Sequence, residues 1–207
     1  MGRFNTLIIV PAFNEERTIG AIVSELLQIS DVLVVDDGST DDTAKICKEN
    51  GCRVISLPEN VGYEKALDFG LKYKFDYQFV ITTDGDGEIP VESVQTCINK
   101  LLNGYDLVLG CRSRFPRFAE YLVNKFFCIK YNHNDILCGL KGYRVTKMTD
   151  NLTMVGSAGT AMAFSMIKND SKVSSVSLVV KPREGVSRFG GNDIRTNLKL
   201  LKVLKYL

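Results

Sequence analysis

Three carboxylates at alternate positions, Asp84, Asp86 and Glu88, form the stretch of this sequence most able to do chemistry. Glycines separate them, so the backbone can turn tightly and a ligand can approach it closely. The stretch follows an apolar, β-branched run at residues 79–81, which predicts a buried strand. Oxygen ligands at the end of a strand favour a hard divalent ion, Mg²⁺ or Mn²⁺, that also holds phosphates. The alternative is a solvated acidic turn, since Asp and Gly are common turn residues.

The elements that must position this stretch alternate between strand and helix. Such alternation predicts an α/β fold with a mostly parallel, doubly wound sheet and helices on both faces. Ligands of these sheets lie beyond the carboxyl ends of the strands, so the loops at residues 11–15, 36–39 and 84–88 are expected to meet there. The predicted strands are residues 7–10, 32–35, 53–57, 77–83 and 106–109, and the predicted helices are residues 15–29, 40–50, 63–73 and 91–102.

Composition narrows the class of protein. A chain of 207 residues with 45% hydrophobic and 24% charged residues is expected to form one large soluble domain, or one domain with a short appendage. The net charge of +2 gives no argument for nucleic acid as a partner. Six cysteines without a C-x-x-C pair, and a single histidine, disfavour a zinc site and predict reduced thiols in a cytosolic protein. We see no leader sequence and no apolar run long enough to span a bilayer.

The loop sequences resemble those of family-2 glycosyltransferases with the GT-A fold. The resemblance rests on V-P-A-F-N-E-E at residues 10–16, V-V-D-D-G-S-T-D at 34–41 and T-D-G-D at 83–86, in this order and spacing. Two later segments, D-I-L-C-G-L-K-G-Y-R at 135–144 and P-R-E-G-V-S-R-F-G at 182–190, are similar to segments of polyprenyl-phosphate sugar synthases. The resemblance implies a Rossmann-like GT-A domain over residues 1–190, and we expect residues 191–207 to form an amphipathic helix.

The resemblance also implies roles for individual residues. Asp84, Asp86 and Glu88 would hold the divalent ion, and Arg112, Ser187 and Arg188 would contact the acceptor phosphate. Asp86, Arg112, Arg188 and Asp135 are the candidate catalytic residues. One departure is Tyr63, which stands where the family often has a lysine, so that help with the phosphate would come from Lys65. The candidate nucleotide-binding residues are Pro11, Ala12, Asn14, Glu15, Asp36, Asp37, Ser39, Lys65 and Asp84.

The absence of an acidic residue from one segment indicates which kind of acceptor the protein uses. Transfer to a sugar hydroxyl needs a general base, whereas a phosphate is already ionised near neutral pH. Residues 151–168, where hydroxyl-using relatives carry that acid, contain none. We therefore predict a metal-dependent, inverting transfer from a GDP- or UDP-sugar to a polyprenyl phosphate, with Asp135 and Asp150 as the residues that could overturn this. The alternatives are transfer to a sugar hydroxyl in glycan assembly and a non-catalytic domain that binds a nucleotide sugar.

A lipid acceptor would bring the chain to a membrane surface. Residues 115–131 and 193–207 mix apolar side chains with lysines and arginines, as interfacial helices do, although both could equally pack on the domain. We expect a cytoplasmic protein, either free or peripheral on the membrane. A separate membrane subunit and a homo-oligomer both remain open as partners.

Overall fold

The chain forms a three-layered α/β structure. A computed structural model describes residues 5–115, 117–149 and 158–179. The strands are β1 (Thr6–Ala12), β2 (Asp31–Asp36), β3 (Arg53–Ser56), β4 (Phe79–Thr82), β5 (Leu107–Arg112), β6 (Lys141–Arg144) and β7 (Val173–Leu178). The helices are α1 (Ile19–Ile29), α2 (Thr43–Glu49), α3 (Tyr63–Leu71), α4 (Val91–Leu102), α5 (Phe118–Tyr131) and α6 (Ala158–Lys168).

The seven strands form one sheet in the order β3-β2-β1-β4-β6-β5-β7. The neighbours β1/β2, β1/β4, β2/β3 and β5/β7 are parallel, which confirms the predicted, mostly parallel sheet. β6 is antiparallel to both of its neighbours and joins β4 to β5. The sequence did not predict β6, because K-G-Y-R is short and lacks the apolar pattern of a strand.

Alternate residues of the strands face opposite layers, and both layers are apolar. Leu7 and Ile9 of β1 pack towards α3, α5 and α6. Ile8 and Val10 pack towards α1, α2 and α4. Helices therefore cover both faces of the sheet, as the sequence predicted, and the near-continuous apolar strands are those of a sheet buried on both sides.

Two helices begin later than the sequence predicted. α1 was expected from Glu15 but begins at Ile19, because residues 15–18 form a turn in which the N–H groups of Thr18 and Ile19 both donate to the Glu15 carbonyl. α2 was expected from Thr40 and begins at Thr43. In both cases polar loop residues use their hydrogen bonds to join neighbouring loops rather than to extend a helix.

Some expectations fall on residues that the structure does not describe. The predicted helix at residues 191–207 lies outside the described residues, so the domain boundary at residue 190 stays a prediction.

Within the described part of the chain, no helix is long and apolar enough to cross a membrane.

Candidate active site

The three predicted loops meet at the carboxyl edge of the sheet. The backbone N–H of Asn14 donates to Ser39 Oγ at 3.0 Å, and the N–H of Thr40 donates to Asn14 Oδ1 at 2.9 Å. Thr18 Oγ1 donates to the Gly85 carbonyl at 3.2 Å, which joins the first loop to the acidic loop. Asn14 adopts a left-handed φ of 53°, a conformation that asparagine tolerates better than most residues. These contacts give the edge a fixed shape.

Asp36 and Asp37, at the end of β2, both have their carboxylates turned towards backbone N–H groups. Asp36 Oδ1 accepts from the Ser39 N–H at 3.0 Å. Asp37 Oδ1 accepts from the Val61 N–H at 2.8 Å, and Asp37 Oδ2 accepts from the Gly62 N–H at 2.9 Å. Both aspartates are buried. Asp37 therefore ties the loop before α3 to β2, a structural role that the sequence did not reveal, and its contact with a nucleotide stays a prediction.

The other candidate nucleotide-binding residues lie around the same edge. Pro11 and Ala12 are buried at the end of β1. Glu15 is buried as well, and its N–H donates to Thr43 Oγ1 at 2.8 Å, which fixes the first loop against α2. Lys65 is exposed in the first turn of α3. The structure thus groups these residues around one edge, and their individual roles stay predictions.

Asp84, the first residue of the acidic triplet, is held by contacts from two distant segments. Its carboxylate lies directly on the backbone of Gly139, where a β-carbon would come within 2.6 Å of the carboxyl carbon. Tyr63 hydrogen-bonds the same carboxylate. Burial, and then the charge of Asp86, raise the pKa of Asp84 above its ordinary value. Tyr63, at the position where relatives often have a lysine, therefore positions a carboxylate.

Lys141 of β6 is a buried basic residue near this carboxylate, and no role was predicted for it. Its Nζ donates to the carbonyl of Cys138. Burial lowers the pKa of Lys141, and the charges of neighbouring groups, including Glu64, Asp135 and Asp84, act in the opposite direction. The amino group of Lys141 therefore lies near the acidic loop, where the charge of Asp84 favours its protonated form and burial opposes it. Its only signal in the sequence was its position inside the segment at residues 135–144.

The three carboxylates of the acidic loop do not converge on one point, contrary to our expectation. In the part of the chain that the structure describes, no three His, Cys, Asp or Glu side chains are grouped as metal ligands. The physical reason is local, because Asp86 Oδ1 accepts the N–H of Glu88 at 3.1 Å and so turns back into its own loop. Asp84 and Asp86 are close enough for their charges to interact, and two such carboxylates are the kind of oxygen donors that fit a hard divalent ion. The metal assignments stay predictions.

Arg112, at the end of β5, is engaged by two buried acids. Its Nε donates to Asp135 Oδ2 at 2.8 Å and its Nη2 to Asp135 Oδ1 at 2.9 Å, a two-pronged salt bridge. Its Nη1 donates to Glu120 Oε2 at 3.2 Å, and Arg117 donates to the other oxygen of Glu120. Burial alone would lower the pKa of Arg112, but the hydrogen bonds and charge of Asp135 outweigh it and raise that pKa. Asp135 thus positions Arg112.

Two of the predicted acceptor-phosphate residues cannot be placed. Ser187 and Arg188 lie outside the described residues, as do Asp150 and residues 151–157 of the segment that lacks an acid. Arg112 is therefore the one predicted acceptor-phosphate residue that the structure describes. Its guanidinium has five N–H donors, of which the contacts above use three.

The fold is shared with solved glycosyltransferases. Glucosyl-3-phosphoglycerate synthase from Mycobacterium tuberculosis, in complex with Mn²⁺, uridine-diphosphate-glucose and phosphoglyceric acid, matches with a TM-score of 0.73. The match covers 95% of this chain and 79% of that chain at 22% sequence identity. The architecture is therefore the GT-A fold, with a Rossmann-like, mostly parallel sheet.

Sequence comparison places the chain within a family. The model of glycosyl transferase family 2 matches residues 7–153, so the chain belongs to that family and is a glycosyltransferase that uses a nucleotide sugar. An uncharacterized protein of Methanocaldococcus jannaschii is 30% identical over 187 residues, covering 86% of this chain and 76% of that protein. A dolichyl-phosphate hexose transferase of Haloferax volcanii is 33% identical over 108 residues, covering 51% of this chain and 46% of that protein.

Proposed function

We propose that this glycosyltransferase moves a sugar, with inversion, from a nucleoside-diphosphate sugar to a polyprenyl phosphate. The observation that carries the proposal is the salt bridge between Arg112 and Asp135. Asp135 is one of the two acids, with Asp150, that the sequence offered as a possible general base, and it is the one that the structure describes. Both carboxylate oxygens of Asp135 accept hydrogen bonds from Arg112. Asp135 therefore orients the guanidinium, a group that binds phosphate, rather than taking a proton from a hydroxyl.

A phosphate acceptor is consistent with this arrangement, because it needs no base. An acceptor phosphate oxygen forms a bond to the anomeric carbon of the sugar. The bond from that carbon to the donor phosphate breaks on the opposite side, and its electron pair leaves with the nucleoside diphosphate. No proton moves, and the configuration at the anomeric carbon is inverted. Arg112 would hold the acceptor phosphate with its two remaining N–H donors, and the family resemblance adds Ser187 and Arg188 to it.

The donor would lie across the carboxyl edge of the sheet, with its base and ribose near the loops at the ends of β1 and β2. Asp84 and Asp86 would hold Mg²⁺ or Mn²⁺, which supplies positive charge for the leaving diphosphate. Lys141 lies close behind Asp84 and adds fixed positive charge there. Tyr63 and Gly139 keep the Asp84 carboxylate in place. The relative named dolichyl-phosphate hexose transferase supports the acceptor class.

The test is a donor and acceptor screen. Release of nucleoside diphosphate would be followed from UDP- and GDP-sugars with a short-chain polyprenyl phosphate, with a simple alkyl glycoside, or with no acceptor. We expect release only with the polyprenyl phosphate, a glycosyl phosphate of inverted configuration by NMR, and loss of turnover in excess chelator. Transfer to the glycoside with none to the phosphate would instead support a hydroxyl acceptor.

A variant pair separates the acidic loop from the rest of the site. Asp86→Asn keeps the shape of the side chain and removes the charge, so turnover should fall by ~10²-fold or more, as for other groups that stabilise a developing charge. Glu92→Gln, in the first turn of α4, removes a nearby carboxylate outside the site and serves as its control. Equal losses in the two variants would show that overall charge, rather than the loop, sets the rate.

A further inference from the structure

Helix α5 has two apolar faces, and within the part of the chain that the structure describes only one of them packs against the domain. The inner face carries Ala119, Val123 and Phe127, which are buried against the sheet layer. The outer face carries four large apolar side chains that remain in water: Phe118 (66% exposed), Tyr121 (48%), Phe126 (42%) and Ile129 (78%). The packing that the sequence allowed is therefore seen on the inner face, whereas an interfacial role stays a prediction for the exposed outer face.

The charges of α5 are divided in the same way. Its one acid, Glu120, is buried and forms salt bridges with Arg112 and Arg117. Its lysines, Lys125 and Lys130, are exposed along the outer face. The outer face therefore combines large apolar side chains with positive charge and carries no acid of its own. That combination is typical of helices that lie in the headgroup region of a bilayer.

We propose that the outer face of α5 docks on an anionic lipid bilayer. The choice of occupant follows from charge. A second copy of the chain would bring an equally basic face against this one. The chain's own segment at residues 193–207 carries four basic residues and one acid, so it too would meet like charge. A surface of anionic lipid is the partner whose charge complements the lysines while its acyl region accepts the apolar side chains.

Docking here would place the candidate active site at the membrane surface. Glu120, in the first turn of α5, hydrogen-bonds Arg112, so the helix begins beside the proposed acceptor-phosphate residue. A polyprenyl phosphate would then present its phosphate to Arg112 without leaving the bilayer. This consequence rests on the proposed function, whereas the docking itself does not, and the two are tested separately.

A single tryptophan introduced into this chain would be its only source of tryptophan fluorescence, because the sequence contains none. Phe118→Trp would be titrated with vesicles of phosphatidylglycerol and phosphatidylcholine, or of phosphatidylcholine alone. We expect a blue shift, and quenching by brominated lipid, with the anionic vesicles only. The matched control is Phe75→Trp, since Phe75 is 68% exposed but lies before β4, at the opposite edge of the sheet. Equal shifts at both positions, or none at Phe118→Trp, would overturn the proposal.

Binding strength gives a second measurement. Phe118→Ser combined with Ile129→Ser should weaken sedimentation with anionic vesicles by at least ~10-fold, through lost apolar burial. Lys125→Gln combined with Lys130→Gln should weaken it by a similar ~10-fold or more at low salt, since each cation near an anionic surface contributes. Phe75→Ser and Lys72→Gln are the matched controls and should bind as the unaltered protein does.

The other occupants give distinct results, each of which would contradict docking on lipid. A second copy predicts a dimer in size-exclusion chromatography that the Phe118→Ser, Ile129→Ser variant dissociates, with no vesicle binding. A covering segment of the same chain predicts blue-shifted emission of Phe118→Trp before any lipid is added. Failure of the proposed function would show differently, as vesicle binding without transfer to a short-chain polyprenyl phosphate.

Discussion

The contact between Gly139 and Asp84 gives a sharp test of the site. In Gly139→Ala, the new β-carbon would lie 2.5 Å from Asp84 Oδ1 and 2.6 Å from its carboxyl carbon, with Oδ2 closer still. Carbon and oxygen atoms normally keep about 3.5 Å apart, so one of the two groups must move by roughly 1 Å. The backbone of Gly139 is held next to Thr82, whose Oγ1 donates to the Gly139 carbonyl at 2.8 Å. The carboxylate is therefore the group expected to move.

The expected cost falls mainly on activity. A misplacement of ~1 Å in a catalytic group typically lowers the rate by ~10²-fold, or ~2.7 kcal/mol of barrier. Overpacking is expected to cost ~1–3 kcal/mol of stability. Turnover would be measured by nucleoside diphosphate release at saturating donor, and stability by thermal unfolding. Gly70→Ala is the control, because its β-carbon would meet Ile9 at 2.5 Å in the core, away from Asp84. It should lose stability while keeping most of its turnover.

A double-mutant cycle decides whether the loss acts through Asp84. In an Asp84→Ala background there is no carboxylate to displace, so adding Gly139→Ala should lower turnover little further. Additive losses would show that Gly139 acts by another route. Gly139→Ala with unchanged turnover and a native unfolding transition would refute the argument that this carboxylate must stay where the structure places it.

Three further predictions follow from the buried polar groups. Asp37→Ala leaves two backbone N–H groups without their acceptor and should destabilise the fold by ~1–3 kcal/mol, and calorimetry should show weakened nucleoside diphosphate binding. Asp135→Asn should lower turnover and raise the KM for polyprenyl phosphate by misplacing Arg112, without the loss of an acidic limb in the pH–rate profile that removal of a general base would cause. Burial raises the pKa of Cys47 to about 12 and of Cys52 to about 11, from an ordinary value of 9.0. A thiol whose pKa is raised on folding contributes stability below pH 9 and loses that contribution as the pH rises towards 11. The thermal midpoint of unfolding should therefore fall over this pH range. It should fall less in a Cys47→Ala, Cys52→Ala variant.

Much of the fold could be predicted from the sequence because its signals are local. Strands buried on both faces give continuous apolar runs, and the helices between them have a helical spacing of apolar residues. α4 was predicted with its observed bounds, Val91–Leu102. β6 was missed because its signal is not local. Its four residues lack the apolar pattern of a strand, and they form one by pairing with β4 and β5.

The candidate site was predictable in outline and not in its contacts. The strand-end rule placed the three loops together correctly. The partners of individual side chains depend on residues far away in sequence: Asp37 with Gly62, and Asp84 with Tyr63 and Gly139. A motif fixes which residue types are present, but it does not reveal whether a carboxylate faces a ligand or the protein's own backbone.

The position of β6 has a consequence for how the chain assembles. β6 is the strand that joins β4 to β5, yet it is synthesised after both of them. A nascent chain that ends before residue 141 has β3-β2-β1-β4 with an open edge at β4, and β5 has no partner from that half. Open edges of this kind invite pairing with other chains. The strand that closes the sheet also brings Lys141 and Gly139 to Asp84, so these contacts of the site cannot form before β6 has paired with β4 and β5.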